Sequence, residues 1–227
     1  MKNFNQINTI LFDLDGTLID TEKEFYNSFY EVLKKDYNII INERLYKECE
    51  LDKNATLLNV LRNNNEVIKS ITNDEIMDKV FNYYEEKFKT TIASDNAVKK
   101  FENLKLLKSY GFILGLVTTC KKKYLDILMQ QLDVYELFDC VIAREDVEKL
   151  KPNCEAYIKA LNLLGKVTYE VLAVEDSKRG IEAALGAGLT VVKVDEFTLV
   201  KFKEDKCLEF NSVDELVRQI LNTERYL

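Results

Sequence analysis

The chain has 227 residues with 47% hydrophobic content, enough to bury a sizeable core in one large domain or in a domain with a smaller insertion. Its 32 basic and 39 acidic residues leave a net charge of −7 with no long single-sign block, which argues against nucleic acid or an anionic membrane surface as a partner. Histidine is absent, which excludes Ser-His and Cys-His catalysis and leaves carboxylates, lysine and hydroxyls to carry any chemistry.

Residues Met1 to Gln6, followed by a short apolar stretch, lack the features of a signal peptide, and no apolar run is long enough to span a bilayer. A cytoplasmic location is the expectation. Ile7 to Phe12 is a compact apolar run that stops at Asp13-Leu14-Asp15-Gly16-Thr17, and it reads as a buried strand opening into a glycine turn. From about Thr21 to Ser94 no convincing apolar strand occurs. Amphipathic pieces at Glu24 to Leu33, Ala55 to Leu61 and Ile76 to Phe88 predict a helical insertion instead. Its position after the first strand would put it over the carboxyl ends of the strands, where open α/β sheets bind ligands.

Beyond the insertion, apolar runs at Phe112 to Val117, Cys140 to Ala143, Val171 to Val174 and Leu189 to Val194 alternate with helix-period segments. The helical segments are Ala97 to Ser109, Lys123 to Leu132, Asn153 to Leu164 and Arg179 to Ala187. This alternation implies an α/β fold with a parallel, Rossmann-like sheet covered on both faces. Cys49, Cys120, Cys140, Cys154 and Cys207 are odd in number and never form Cys-x-x-Cys, so reduced thiols are expected rather than disulfides or a zinc site.

Asp13 and Asp15 end a buried strand two positions apart, beside the backbone amides of a glycine turn. Such a pair can divide the roles of nucleophile and proton donor, although Asp15-Gly16-Thr17 alone also reads as a tight turn. Glu175-Asp176 closes another strand, and two adjacent acids in a crowded site repel unless a cation compensates. Thr118 ends a third strand, where its hydroxyl could instead cap the next helix. Lys121-Lys122-Lys123 starts that helix against its macrodipole, a placement that needs a reason. There is no P-loop, and Gly186-Ala187-Gly188 lacks the third glycine of a dinucleotide loop.

Four stations in order carry a resemblance: Phe12-Asp13-Leu14-Asp15-Gly16-Thr17-Leu18, then Gly115-Leu116-Val117-Thr118, then Leu150-Lys151-Pro152, then Val174-Glu175-Asp176-Ser177 with Gly180 to Ala184 and Gly188. Together they resemble the haloacid dehalogenase superfamily. The resemblance implies a Rossmann-like core from 1–20 and 95–227 with a helical cap from 21–94, closing to exclude water. It implies a phosphatase acting on a small phosphorylated metabolite through an aspartyl phosphate, with Asp13 as nucleophile and Asp15 as acid and then base. Thr118, Thr119 and Lys151 would bind the phosphoryl group, and Asp13, Asp15 (through its backbone carbonyl), Asp176 and Glu175 would hold Mg²⁺.

The presence of Asp15 disfavours a dehalogenase, which resembles this pattern without the second aspartate. A β-phosphoglucomutase-like phosphomutase is the main alternative, but its cap supplies a histidine where this chain has Phe25 or a neighbour. A non-catalytic binding protein of the same fold is the second alternative. A Pro-Gly pair common near the cap's return to the core is absent at Asn96-Ala97. Sugar phosphates or phosphoglycolate are the substrate candidates by analogy, and a monomer is the default expectation.

Overall fold

In a computed structural model of the chain, residue 4 and residues 6–51, 57–92, 95–197 and 202–224 are described. Met1 to Asn3, Asn5, Ala55, Thr56 and Ser94, named above, lie outside them. The chain divides into two compact units, Met1–Asp20 with Thr91–Leu227, and Thr21–Thr90.

In the larger unit, β1 (Thr9–Phe12), β2 (Ile113–Val117), β3 (Cys140–Ile142), β4 (Val171–Glu175), β5 (Thr190–Val194) and β6 (Leu208–Phe210) form one parallel sheet ordered β3-β2-β1-β4-β5-β6. β1 and β4 are buried along their whole length, as the continuous apolar runs predicted for strands covered on both faces. Gly115 in β2 is required by close packing: a Cβ there would lie 2.5 Å from Leu11 Cδ2 and 2.8 Å from Cys140 Sγ.

Among the described residues the α-helices of this unit are the connecting helices α5 (Asp95–Ser109), α6 (Lys122–Leu132), α7 (Glu155–Leu164) and α8 (Lys178–Gly186), with α9 (Val213–Glu224) following the last strand. Ala156, Tyr157 and Ala160 of α7 and Ile181 and Ala184 of α8 pack with Leu11 and Ala173 of the sheet. Side chains alternate along a strand, so Ile10 and Leu172, both fully buried, face the opposite layer. There α5 meets β2, α9 meets β6, and Asn103 donates to Asp214 at 2.7 Å between the two helices. α5 runs through Asn96 and Ala97, so the position where the Pro-Gly pair is missing is helical.

The chain leaves β1 for β2 and β3 on one side, then returns to place β4 on the other side of β1. The crevice at the carboxyl ends of β1 and β4 is therefore the topological switch point, where such sheets bind ligands.

The smaller unit is helical, with α1 (Glu22–Tyr37), α2 (Glu43–Leu51), α3 (Leu57–Asn64) and α4 (Asn73–Ile92). Its own core includes Phe29, Leu33, Leu58, Ile68, Ile76 and Val80. α1 stops at Asn38, whose left-handed φ of 54° lets its N–H reach back to the last turn. Neither α2, β6 nor α9 was expected from the sequence.

Candidate active site

Asp13 and Thr118 are the first residues beyond their strands, and each extends a ladder by one bond: Asp13 N–H donates to Val174 at 3.0 Å and Thr118 N–H to Ile142 at 2.9 Å. Rigid sheet backbone therefore fixes both. After Asp13 the chain turns sharply, with Leu18 and Ile19 N–H both donating to the Leu14 carbonyl. Gly16 sits at φ +85° beside Asp176, and a Cβ there would lie 2.2 Å from Asp176 Oδ2. Only glycine satisfies both demands.

Lys151 reaches this point from the loop before α7. Its ammonium donates to Asp13 Oδ1 at 2.6 Å, Glu175 Oε1 at 2.6 Å and the Val117 carbonyl at 2.8 Å, with only 5% of its side chain exposed. Arg179 donates to the Lys151 carbonyl at 3.0 Å and so holds that loop against the start of α8. Burial pulls the Lys151 ammonium toward neutrality, but Asp13 and then Glu175 outweigh it and keep its pKa above the usual lysine value. The lysine stays charged.

Glu175 ends β4 and is fully buried. Desolvation and then the Asp13 charge push its carboxyl up, to about 7, against the lowering effects of Lys151 and Tyr157. The Tyr157 hydroxyl donates to Glu175 Oε1 at 2.5 Å; burial above all, then the charges of Glu175 and Asp13, hold the phenol well above its ordinary pKa. Asp176 is buried and accepts from the Thr17 hydroxyl at 3.1 Å.

Asp13, Glu175 and Asp176 each offer an oxygen within 4.8 Å of the others, all buried. Among the described residues the Lys151 ammonium pairs with two of these three carboxylates, and an excess of buried negative charge suits a divalent cation. Glu175 Oε2 is buried with no hydrogen-bond partner among the described residues, a place that a cation or its bound water would satisfy. The all-oxygen donor set fits a hard cation such as Mg²⁺.

Of the residues singled out in the sequence, Asp13, Lys151, Glu175 and Asp176 come together in this cluster. Asp15 is half-buried in the turn and bridges to Ile19. The Thr118 hydroxyl is buried and accepts from Cys120 N–H at 3.0 Å, a local turn rather than a helix cap, since the N-cap position of α6 is Lys121. Thr119 is exposed. Lys122 owes its place at the helix start to Asp146, which it meets at 2.6 Å, and to Glu145, which takes its N–H at 3.0 Å. Those acids offset the unfavourable macrodipole.

Tyr157, Thr17 and Arg179 had not been singled out. Thr17 lies inside the first motif and Arg179 opens a predicted helix, whereas Tyr157 carries no signal beyond its place on the apolar stripe of α7. Desolvation first, then the charges of Asp15 and Asp13, push the Cys120 thiol well above the usual range.

The chain matches the haloacid dehalogenase-like hydrolase family over residues 10–194. It is 31% identical to pyrophosphatase PpaX of Bacillus cereus over 83% of each chain. It is 28% identical to a phosphorylated carbohydrates phosphatase of Thermotoga maritima over 79% of this chain and 81% of that one. A crystal structure of a HAD hydrolase of family IA, variant 3, from Entamoeba histolytica superposes with a TM-score of 0.74 at 22% identity, covering 95% of this chain and all of that one. Among the described residues no helix is long and apolar enough to cross a membrane. The chain belongs to the haloacid dehalogenase-like hydrolases.

Proposed function

From that membership we propose a Mg²⁺-dependent phosphatase that hydrolyses a small phosphorylated metabolite through a phosphorylated Asp13. The observation that carries this reading is the buried Lys151 bridge between Asp13 and Glu175, with Asp176 alongside at the switch point. An Asp13 carboxylate oxygen attacks phosphorus, the bond to the leaving oxygen breaks, and Asp15 gives that oxygen a proton. Water then attacks the same phosphorus, Asp15 takes its proton, and the bond to Asp13 breaks to release phosphate. The Thr118 hydroxyl accepts from Cys120 N–H, so its own hydrogen remains to be donated to a phosphoryl oxygen, with Thr119 as a further phosphate contact. Lys151 offsets charge on Asp13 and on the incoming phosphate. Mg²⁺, held by Asp13, Asp176, the Asp15 carbonyl and Glu175, would supply further charge neutralisation at the phosphoryl group.

Residues 21–94 are proposed as the cap domain that selects the leaving group, and 1–20 with 95–227 as the catalytic domain. Phe25 bears on the rival phosphomutase reading. Its ring meets Phe29 and Tyr84 edge-on at 5.3 and 5.4 Å and Phe81 at a tilt at 5.7 Å, so it packs against the helical unit's core and brings no titratable group. The test is phosphate release from a panel of sugar phosphates, phosphoglycolate and pyrophosphate with and without Mg²⁺. Release that requires Mg²⁺ and is lost in Asp13→Asn is expected. Conversion of β-glucose 1-phosphate to glucose 6-phosphate without release would transfer the assignment to a mutase, and no reaction would favour a binding protein.

A further inference from the structure

Tyr157 is fully buried on α7 among Ala156, Ala160 and Leu161, where a phenylalanine would fill the same space. Its hydroxyl nevertheless lies 2.5 Å from Glu175 Oε1, the same oxygen that takes the Lys151 ammonium at 2.6 Å. The other oxygen, Oε2, is buried and has no hydrogen-bond partner among the described residues. On the α8 side the carboxylate lies against bare Cα: a Cβ on Gly180 would sit 2.0 Å from Oε2 and 2.3 Å from Oε1. The Gly180 N–H does not help, because it is donated to Ser177 Oγ at 3.1 Å.

We infer that Tyr157 is a positioning residue for the cation site: by joining Lys151 on Oε1 it fixes the rotation of the Glu175 carboxylate and reserves Oε2 for a divalent cation or a water bound to it. A carboxylate held by one donor can rotate and exchange its oxygens, whereas two donors converging on one oxygen define which lone pairs remain. A phenol suits this place better than a second lysine or an arginine. It donates a hydrogen bond without adding positive charge, so the excess of carboxylate charge that draws in a cation is preserved. Gly180 complements the arrangement by leaving room for the carboxylate in that orientation.

The inference rests on the metal-dependent reading above, and Tyr157→Phe in the full chain tests it because the ring stays and only the hydroxyl goes. Binding of Mn²⁺ to metal-free protein is followed by the electron paramagnetic resonance of free Mn²⁺, beside the Mg²⁺ dependence of phosphate release. The expected result is a Kd for Mn²⁺ raised about tenfold or more, the range seen when a group supporting a metal ligand is removed. The Mg²⁺ concentration for half-maximal rate should rise in parallel, with kcat at saturating Mg²⁺ nearly unchanged. A purely structural tyrosine would lower the melting temperature and leave the Mn²⁺ Kd alone, and that outcome overturns the inference. So does a wild-type chain that binds no Mn²⁺. A wild-type chain that binds Mn²⁺ but releases no phosphate removes the phosphatase reading alone, and the ratio of the two Kd values still decides for or against Tyr157.

Discussion

Replacing Lys151 by methionine keeps most of the side-chain volume and removes a buried ammonium that satisfies three acceptors. Asp13 and Glu175 are then left as buried carboxylates with oxygens no more than 4.8 Å apart. At an effective dielectric constant of about 20, unit charges at that separation repel by about 3 kcal/mol. Breaking a buried ion pair on one side typically costs about 3–5 kcal/mol, the same range. At about 2–4 °C per kcal/mol for a chain of this size, Lys151→Met in EDTA should melt roughly 10 °C below wild type near pH 8. The deficit should depend on pH in a defined direction. Glu175 has its folded pKa raised from its ordinary value of 4.5 to about 7, so the stability it contributes is fully present below about 4.5 and is lost as pH rises through about 7. Loss of Lys151 raises that pKa further. The melting deficit of the variant should therefore shrink toward about pH 5 and widen toward about pH 8, and Mg²⁺ should raise the variant's melting temperature more than the wild type's. Thermal unfolding at both pH values, with EDTA and with Mg²⁺, supplies the measurement. A variant that melts with wild type at pH 8 in EDTA would refute the claim that this lysine holds the carboxylate cluster together.

Asp15→Asn should slow hydrolysis of alkyl phosphates by about 10²–10⁴-fold, the usual range for acid–base catalysis. The loss should be smaller for p-nitrophenyl phosphate, whose leaving group needs little protonation, and equal losses on both in steady-state assays would count against the acid role. Gly16→Ala should destabilise the chain by about 1–2 kcal/mol through its positive φ and push aside Asp176, whose Oδ2 would lie 2.2 Å from the new Cβ; Mn²⁺ titration should show weaker binding, and unaltered affinity would contradict the placement of Asp176. Gly115→Ala, whose Cβ would press on Leu11 and Cys140, should cost about 1–3 kcal/mol by overpacking. Below its melting temperature its KM should match wild type, since Gly115 lies within the strand, short of the site.

What could be read from the sequence follows from where the physics is local. The five strands that were anticipated are short apolar runs because a parallel sheet buries both faces, and β1 and β4 are buried throughout. β6 is a three-residue edge strand, partly exposed with its middle residue, Glu209, toward solvent, and carries too little apolar signal to be distinguished from a loop. α9 is different: Val213, Leu216, Val217, Ile220 and Leu221 follow helical spacing and are all buried, so its signal was present in a region to which no element had been assigned. α2 offers only Tyr46 and Cys49 as described buried residues in a nine-residue helix, a stripe too short for periodicity to stand out. The carboxylates were conspicuous because each sits within a short motif at a strand end. Tyr157 was not, because an aromatic residue on the apolar stripe of a helix has the pattern of ordinary core. Its partner Glu175 lies 18 positions away, and their meeting depends on how α7, docked on β2 and β3 and beside α8, is set relative to the end of β4. Sequence spacing can thus disclose groups that share one turn, whereas a hydrogen bond that orients one of them from across the core becomes visible only once the layers are assembled. The same reasoning applies to Gly180. As a residue type it suggests only close approach, and its specific consequence, clearance for the Glu175 carboxylate, exists only after α8 has docked beside β4.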